Sequence, residues 1–339
     1  MNDMTPKQIT QALEAGIITQ AQADKMRPNE SSAVIGNEDD MRFLRSFSDI
    51  FIAIGVGLFA LGLSAVAALF GGGISFIGAA IVMGFLAEYF GRRRRAHAPT
   101  LITALAFLIF MQKGVGTLIG DGGGVVAALI TLGAMLVYYW RIRLPFCIAL
   151  IAVAALYLFF ALFPNMVQGQ FGISLFISGL AIFAVALVYD MRDMHRTTRF
   201  ADNAFWLHFL AAPLIIHGLA LSMVSLKKDM LFNLIPTVSL NSGDAAIVMI
   251  IVIVLTFIGL AINRRALIVS SLGYAAFAIG YLFDGIGIGL GTTLALTLLI
   301  LGGAVMFLGA GWHSARAMLL KILPEWRIFP PAFDPNYKP

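Results

Sequence analysis

From about residue 48 to residue 311 the chain is a succession of apolar runs separated by short polar or glycine-rich breaks. Each run is about twenty residues long, the length an α-helix needs to cross a hydrocarbon core of about 30 Å. The pattern predicts spans near residues 48–70, 73–91, 99–118, 122–140, 144–163, 171–190, 204–225, 244–263, 266–283 and 290–311. The third is the weakest, because Gln112, Lys113, Gly114 and Gly116 interrupt its second half. The expected fold is therefore all-α, a polytopic transmembrane helix bundle of about ten spans occupying residues 48–311.

The polar segments fall at the two ends. Thr5-Pro6-Lys7-Gln8 combines an N-cap, a proline at the first helical position and a glutamine three residues after the cap. Thr19-Gln20-Ala21-Gln22 repeats the cap-and-glutamine pattern, and Gly16 between them can end the first helix. Residues 1–27 are thus expected to form a short cytosolic helical hairpin, followed over 28–47 by a polar linker. The first forty residues lack the apolar stretch and cleavage site of a secretory signal peptide, so insertion is expected to start from an uncleaved first span. Residues 312–339 read as a cytosolic amphipathic helix over 312–323, with Arg316 and Lys321 toward headgroups, and an irregular proline-rich tail.

Composition agrees with lipid as solvent. Hydrophobic residues make up 60% of the 339 positions and charged residues 12%, whereas a soluble domain of that makeup would expose large sticky patches. The net charge of +5 does not indicate nucleic acid, which requires a basic face on a soluble module. The basic residues lie instead between apolar runs, where they orient a membrane protein. With a cytosolic N-terminus, twenty lysines and arginines fall inside, among them Arg92 to Arg95, Arg141, Arg143, Arg264 and Arg265, and only Lys113, Lys227 and Lys228 outside. An error of one span would destroy this segregation, so both termini are expected in the cytosol. Cys147, the single cysteine, lies in an apolar run and reads as a small buried hydrophobe.

Five helical hairpins follow from this topology. Internal similarity is faint: Ala68-Leu69-Phe70 before Gly73-Ile74-Ser75 recurs as Ala161-Leu162-Phe163 before Gly172-Ile173-Ser174. Halves of five spans would be inverted, an architecture that transporters use. Reuse of a small membrane alphabet explains the similarity more readily.

Ionisable side chains in a bilayer are expensive, so depth decides which of them suggest function. Glu88 lies one turn from the inner end of its span with Arg92 at i+4, which reads as an interfacial ion pair. Asp49, Asp190, Asp244 and Asp284 also sit at span ends, where water is near. His217 is close to the centre of the seventh span, four residues after Pro213, which removes a backbone hydrogen bond. Pro213, His217 and Gly218 can mark a kinked, cavity-facing stretch, or His217 can be a neutral histidine bonded to a neighbouring helix. His208, nine residues earlier, lies on the opposite face and is not a second metal ligand. In the ninth span Tyr274, Phe277, Tyr281 and Asp284 recur at spacings of three and four, either a ligand vestibule or a packing seam. Ser174 with Ser178 and Thr293 with Thr297 are candidate interhelical hydrogen-bonding pairs, and Ala53 with Gly57 and Ala80 with Gly84 permit close approach.

Enzyme chemistry finds no support. Tyr189-Asp190 and Gly120-Asp121 echo the paired aspartates of presenilin-type proteases, but the topology puts the two carboxylates on opposite sides. No zinc helix, nucleophile elbow or phosphate loop is present, and no cofactor or metal is expected.

The segment Leu13-Glu14-Ala15-Gly16-Ile17-Ile18-Thr19-Gln20-Ala21-Gln22-Ala23, a linker, and a first span with Gly55, Gly57 and Gly62 resembles a family of predicted bacterial membrane proteins of unknown function. These share a short cytosolic L-x-x-G-x-I-[ST]-x-x-Q-A hairpin ahead of many spans. The resemblance covers about the first seventy residues and implies a bacterial inner membrane, without an activity or site residues. Two functions are consistent with the sequence. One is a small-molecule transporter or permease, with Pro213, His217, Tyr274, Tyr281 and Asp284 as substrate-contacting candidates. The other is a non-catalytic scaffold acting through the N-terminal hairpin and small-residue helix faces. The expected partners are the lipid bilayer, a small-molecule ligand of unknown identity, and other subunits of a homo- or hetero-oligomer, with no nucleic acid.

Overall fold

The computed structural model describes residues 12–13, 15–19, 22, 47–120, 122–193, 198–223, 230–231, 235–236 and 242–324. The apolar runs become helices α1 (Phe47–Phe70), α2 (Gly73–Ala87), α3 (His97–Ile119), α4 (Gly124–Ile142) and α5 (Phe146–Leu162). After the short α6 (Pro164–Gly169) come α7 (Phe171–Arg192), α8 (Arg199–Met223), α9 (Ser242–Ala261), α10 (Arg265–Asp284) and α11 (Leu290–Leu320). A π-helical turn, Glu88–Arg93, continues α2. Among the described residues, nine helices are long and apolar enough to cross a membrane. α5, with 17 residues, is about 26 Å long at a rise of about 1.5 Å per residue, close to the lower limit for a span. The only described extended pairing is a two-residue antiparallel ladder, Met230–Leu231 with Ile235–Pro236, between α8 and α9.

Leucines and phenylalanines cover the outside: Leu61, Phe85, Leu298 and Phe307 are each about 70% exposed. Such a surface is stable only against lipid. The chain is a multi-pass membrane protein, an all-α bundle.

Two expectations change. The third span is not interrupted, because α3 runs unbroken to Ile119, with the Lys113 ammonium 4.4 Å from the centre of the Phe76 ring. The separate surface helix over 312–323 is absent. α11 continues as one helix of 31 residues, and Arg316, expected at headgroups, is 3% exposed because it turns inward against the α9 end. Of the N-terminal hairpin, the described residues show the turn: Gly16 (φ +68) follows a helix end where Ile17 N–H donates to Ala12 O at 2.9 Å. Thr19 and Gln22 then form a reciprocal cap, Thr19 N–H to Gln22 Oε1 at 2.9 Å and Gln22 N–H to Thr19 Oγ1 at 3.3 Å. The Thr5 to Gln8 cap, most of the 28–47 linker and the proline-rich tail lie outside the described residues.

The helices pack as a row, α1 on α3, α3 on α5, α5 on α8 and α8 on α10, with α2, α4, α7 and α9 each paired to the helix that follows it. α5 joins the two parts of the row, as Ile148, Ala152 and Leu156 pack on Ile182, Ala186, Leu207 and Ala211. The two closest crossings match. A Cβ on Gly114 would fall 2.9 Å from the Ile77 backbone nitrogen, and a Cβ on Gly172 would fall 2.7 Å from that of Ser222. Gly73 with Gly114 joins α2 to α3, and Gly172 with Gly218 joins α7 to α8 in the same manner. The faint similarity noted in the sequence therefore marks a recurring hairpin. The recurrence pairs the start of α2 with the start of α7.

Candidate functional site

The residues singled out in the sequence separate into three places. Pro213 lies inside α8, which continues through it to Met223. His217 is half-buried one turn later, its ring 6.4 Å from that of Tyr274 on α10. The α10 stripe divides: Tyr274 and Tyr281 are half-buried, whereas Phe277 is 69% exposed and Asp284 is exposed at the helix end. The stripe is therefore no continuous vestibule wall, and only Tyr274 joins His217. At the end of α2, Arg92 donates to Glu88 Oε1 at 2.7 Å, and Arg141 from the end of α4 donates to the same oxygen at 2.8 Å. Glu88 thus bridges two helices in addition to its own turn.

The hydroxyl pairs serve their own helices. Ser178 donates to Ser174 O and Thr297 to Thr293 O, both at 2.7 Å. Ala80 is fully buried where α2 meets its neighbours, and Cβ atoms on Gly57 and Gly84 would meet Ile102 and Phe107 at 4.0 Å. These small residues are engaged within the chain.

The densest polar cluster lies at the arginine-rich end of the bundle, where sequence reasoning placed only solvent-facing charges. Asp190, near the end of α7, accepts from Arg264 Nε at 2.9 Å and contacts Arg264 NH2 as well. Its other oxygen lies 2.8 Å from His208 Nε2 on α8. The side chains of Asp190, Arg264 and His208 are 14%, 2% and 0% exposed, so the carboxylate is not water-facing. His208 also packs edge-on against Phe183 of α7, with ring centroids 5.1 Å apart.

Backbone geometry aims Arg264 inward. Asn263 adopts a left-handed conformation (φ +58) in the tight link between α9 and α10. Its side-chain oxygen accepts from Trp312 Nε1 at 2.8 Å, and Arg316 NH2 donates to Ala261 O at 3.4 Å. The Arg265 guanidinium stacks over the Trp312 ring at 5.2 Å. The C-terminal end of α11 thereby grips the link, and the link presents Arg264 to Asp190. Four helices, α7, α8, α9 and α11, and the start of α10 meet at this one network.

Part of the network is legible in the sequence. Asp190 and His208 are each nine residues from Arg199, so an antiparallel hairpin turning there puts them at one depth. Arg264, 74 residues from Asp190, carries no such signal. A charge-assisted network of this kind can hold helix ends together or exchange a proton between carboxylate and imidazole.

Comparison with protein-family models, with curated proteins and with solved structures returned no match.

Proposed function

We propose that the protein is a small-molecule transporter of a bacterial inner membrane, with both termini and the arginine-rich end in the cytosol. The observation that carries this reading is the buried Asp190–His208–Arg264 network joining α7, α8 and the α9–α10 link. A buried ion pair seldom stabilises a fold more than well-packed apolar residues would. Charges retained at a helix junction therefore suit a contact that opens to water and closes again. In this reading the network is the cytosolic gate, and His217 beside Tyr274 faces the passage above it. The segregation of lysine and arginine along the chain supports this cytosolic placement.

Thiol accessibility tests the gate. In a Cys147→Ser background, a His217→Cys variant is labelled from the cytosolic side with a membrane-impermeant maleimide. Adding Asp190→Asn is expected to speed labelling about tenfold, a population shift of about 1.4 kcal/mol. Unchanged labelling overturns the gate.

The scaffold reading draws on α11, whose apolar stretch is almost entirely exposed and includes Gly302, Gly303 and Gly309. An obligate oligomer of the purified protein that persists in detergent, combined with no solute flux in proteoliposomes, would favour it.

A further inference from the structure

A second feature of the arginine-rich end lies apart from the Asp190 network. The π-helical turn after α2, the start of α3, the α4–α5 link and the start of α8 enclose a cavity of about 750 Å³. Five arginines line it, Arg92, Arg95, Arg141, Arg143 and Arg199, with Asp202 as the single carboxylate in the lining. Orientation in the membrane explains arginines on these connections. It does not explain why arginines from three separate connections converge on one concavity. Arg95, Arg143 and Arg199 form no ion pair with a described carboxylate, so positive groups outnumber carboxylates in the lining by five to one.

The backbone is shaped to produce this convergence. Arg95 (φ +55) and Arg143 (φ +56) are both left-handed, a conformation that glycine adopts freely and that costs other residues roughly 1 kcal/mol or more. The π-helix is itself rare and is frequent at functional sites. Gly91 lets the turn sit against its neighbours, since a Cβ there would fall 3.0 Å from Thr100 Cγ2 and 3.1 Å from Ile142 Cγ2. Glu88 holds Arg92 and Arg141 through one oxygen and fixes two of the five guanidinium groups before any ligand arrives. The volume falls within the range of about 300–1,000 Å³ typical of small-molecule sites.

Guanidinium forks match the paired oxygens of phosphate, and several of them around one space select for multiple negative charge. Trp140, 71% exposed, also lines the cavity and supplies a flat apolar face to the uncharged part of such a ligand. We infer that this cavity binds a phosphate-bearing anion, delivered either as a soluble phosphorylated compound or as the headgroup of an anionic phospholipid. Binding does not require flux, so a failed transport assay leaves this site standing and a failed binding assay leaves the Asp190 gate standing.

The test uses the full-length protein in phosphatidylcholine nanodiscs, with thermal unfolding as the readout. In one arm inorganic pyrophosphate is titrated, and in the other phosphatidylglycerol replaces half of the lipid. Stabilisation by either is expected, since a ligand of the folded state raises apparent stability. The decisive variant is Arg143→Gly, which removes one guanidinium and relieves the left-handed strain. Its unfolding temperature without ligand should not fall, while its apparent affinity should drop about tenfold. Arg192→Gln removes the same charge from an exposed position at the same end, outside the lining, and should keep the wild-type response. A response to pyrophosphate supports a soluble ligand, and a response confined to phosphatidylglycerol supports a headgroup. No stabilisation in either arm overturns the site, as does an equal loss in Arg143→Gly and Arg192→Gln.

Discussion

Arg264 is 2% exposed, and its charge is met by the Asp190 carboxylate, whose other oxygen bonds His208. Removing one partner leaves a buried charge uncompensated, whereas removing both exchanges a costly pair for apolar packing. Arg264→Met is therefore expected to destabilise the protein by roughly 3–5 kcal/mol, and Arg264→Met with Asp190→Leu to recover most of that loss. Unfolding temperatures of the purified variants in one detergent check both arms. A double variant as unstable as the single would mean that the pair does more than neutralise itself. Function should part from stability here: the double variant is expected to fold but not to gate.

At the scale of elements, helix propensity and helix packing make opposite demands on glycine. Gly218 sits where a Cβ would fall 2.8 Å from the Gly172 carbonyl oxygen, whereas Gly302 on α11 has nothing within 4 Å of the corresponding position. Gly218→Leu is accordingly expected to push α7 from α8 and lower the unfolding temperature. Gly302→Ala should be neutral or stabilising by up to about 1 kcal/mol, the helix-propensity difference. Thermal unfolding of the two variants side by side tests the contrast, and equal effects would contradict the crossing geometry. The same crossing between α2 and α3, at Gly73 and Gly114, predicts that Gly114→Leu behaves as Gly218→Leu does. Gly114 thus reads as a packing residue, although in the sequence it looked like an interruption of the third span. Helix periodicity registers the missing side chain and not the neighbour that fills its place.

For the whole molecule, the proposed orientation carries its own prediction. A reporter fused after Arg94 should read as cytosolic and one fused after Gly123 as external, measured with an enzyme pair active on opposite sides of the membrane. Reversal of both would invert the topology and place the arginine cavity outside. The apolar, helical character of the spans and their approximate positions were decided by the sequence alone, because spanning a bilayer is a local requirement met within each segment. The Thr19–Gln22 cap and the Glu88–Arg92 pair were equally legible, since their partners are three and four residues apart. Only the tertiary structure decided that Arg264 turns inward to Asp190, that Arg316 grips the α9 end, and that five arginines from three connections share one cavity. The physical reason is that a basic residue between two spans orients the chain in the same way whether it points to water, to a carboxylate 74 positions away or into a cavity. Which of these it does depends on how the helices pack, and that information is distributed over the whole bundle.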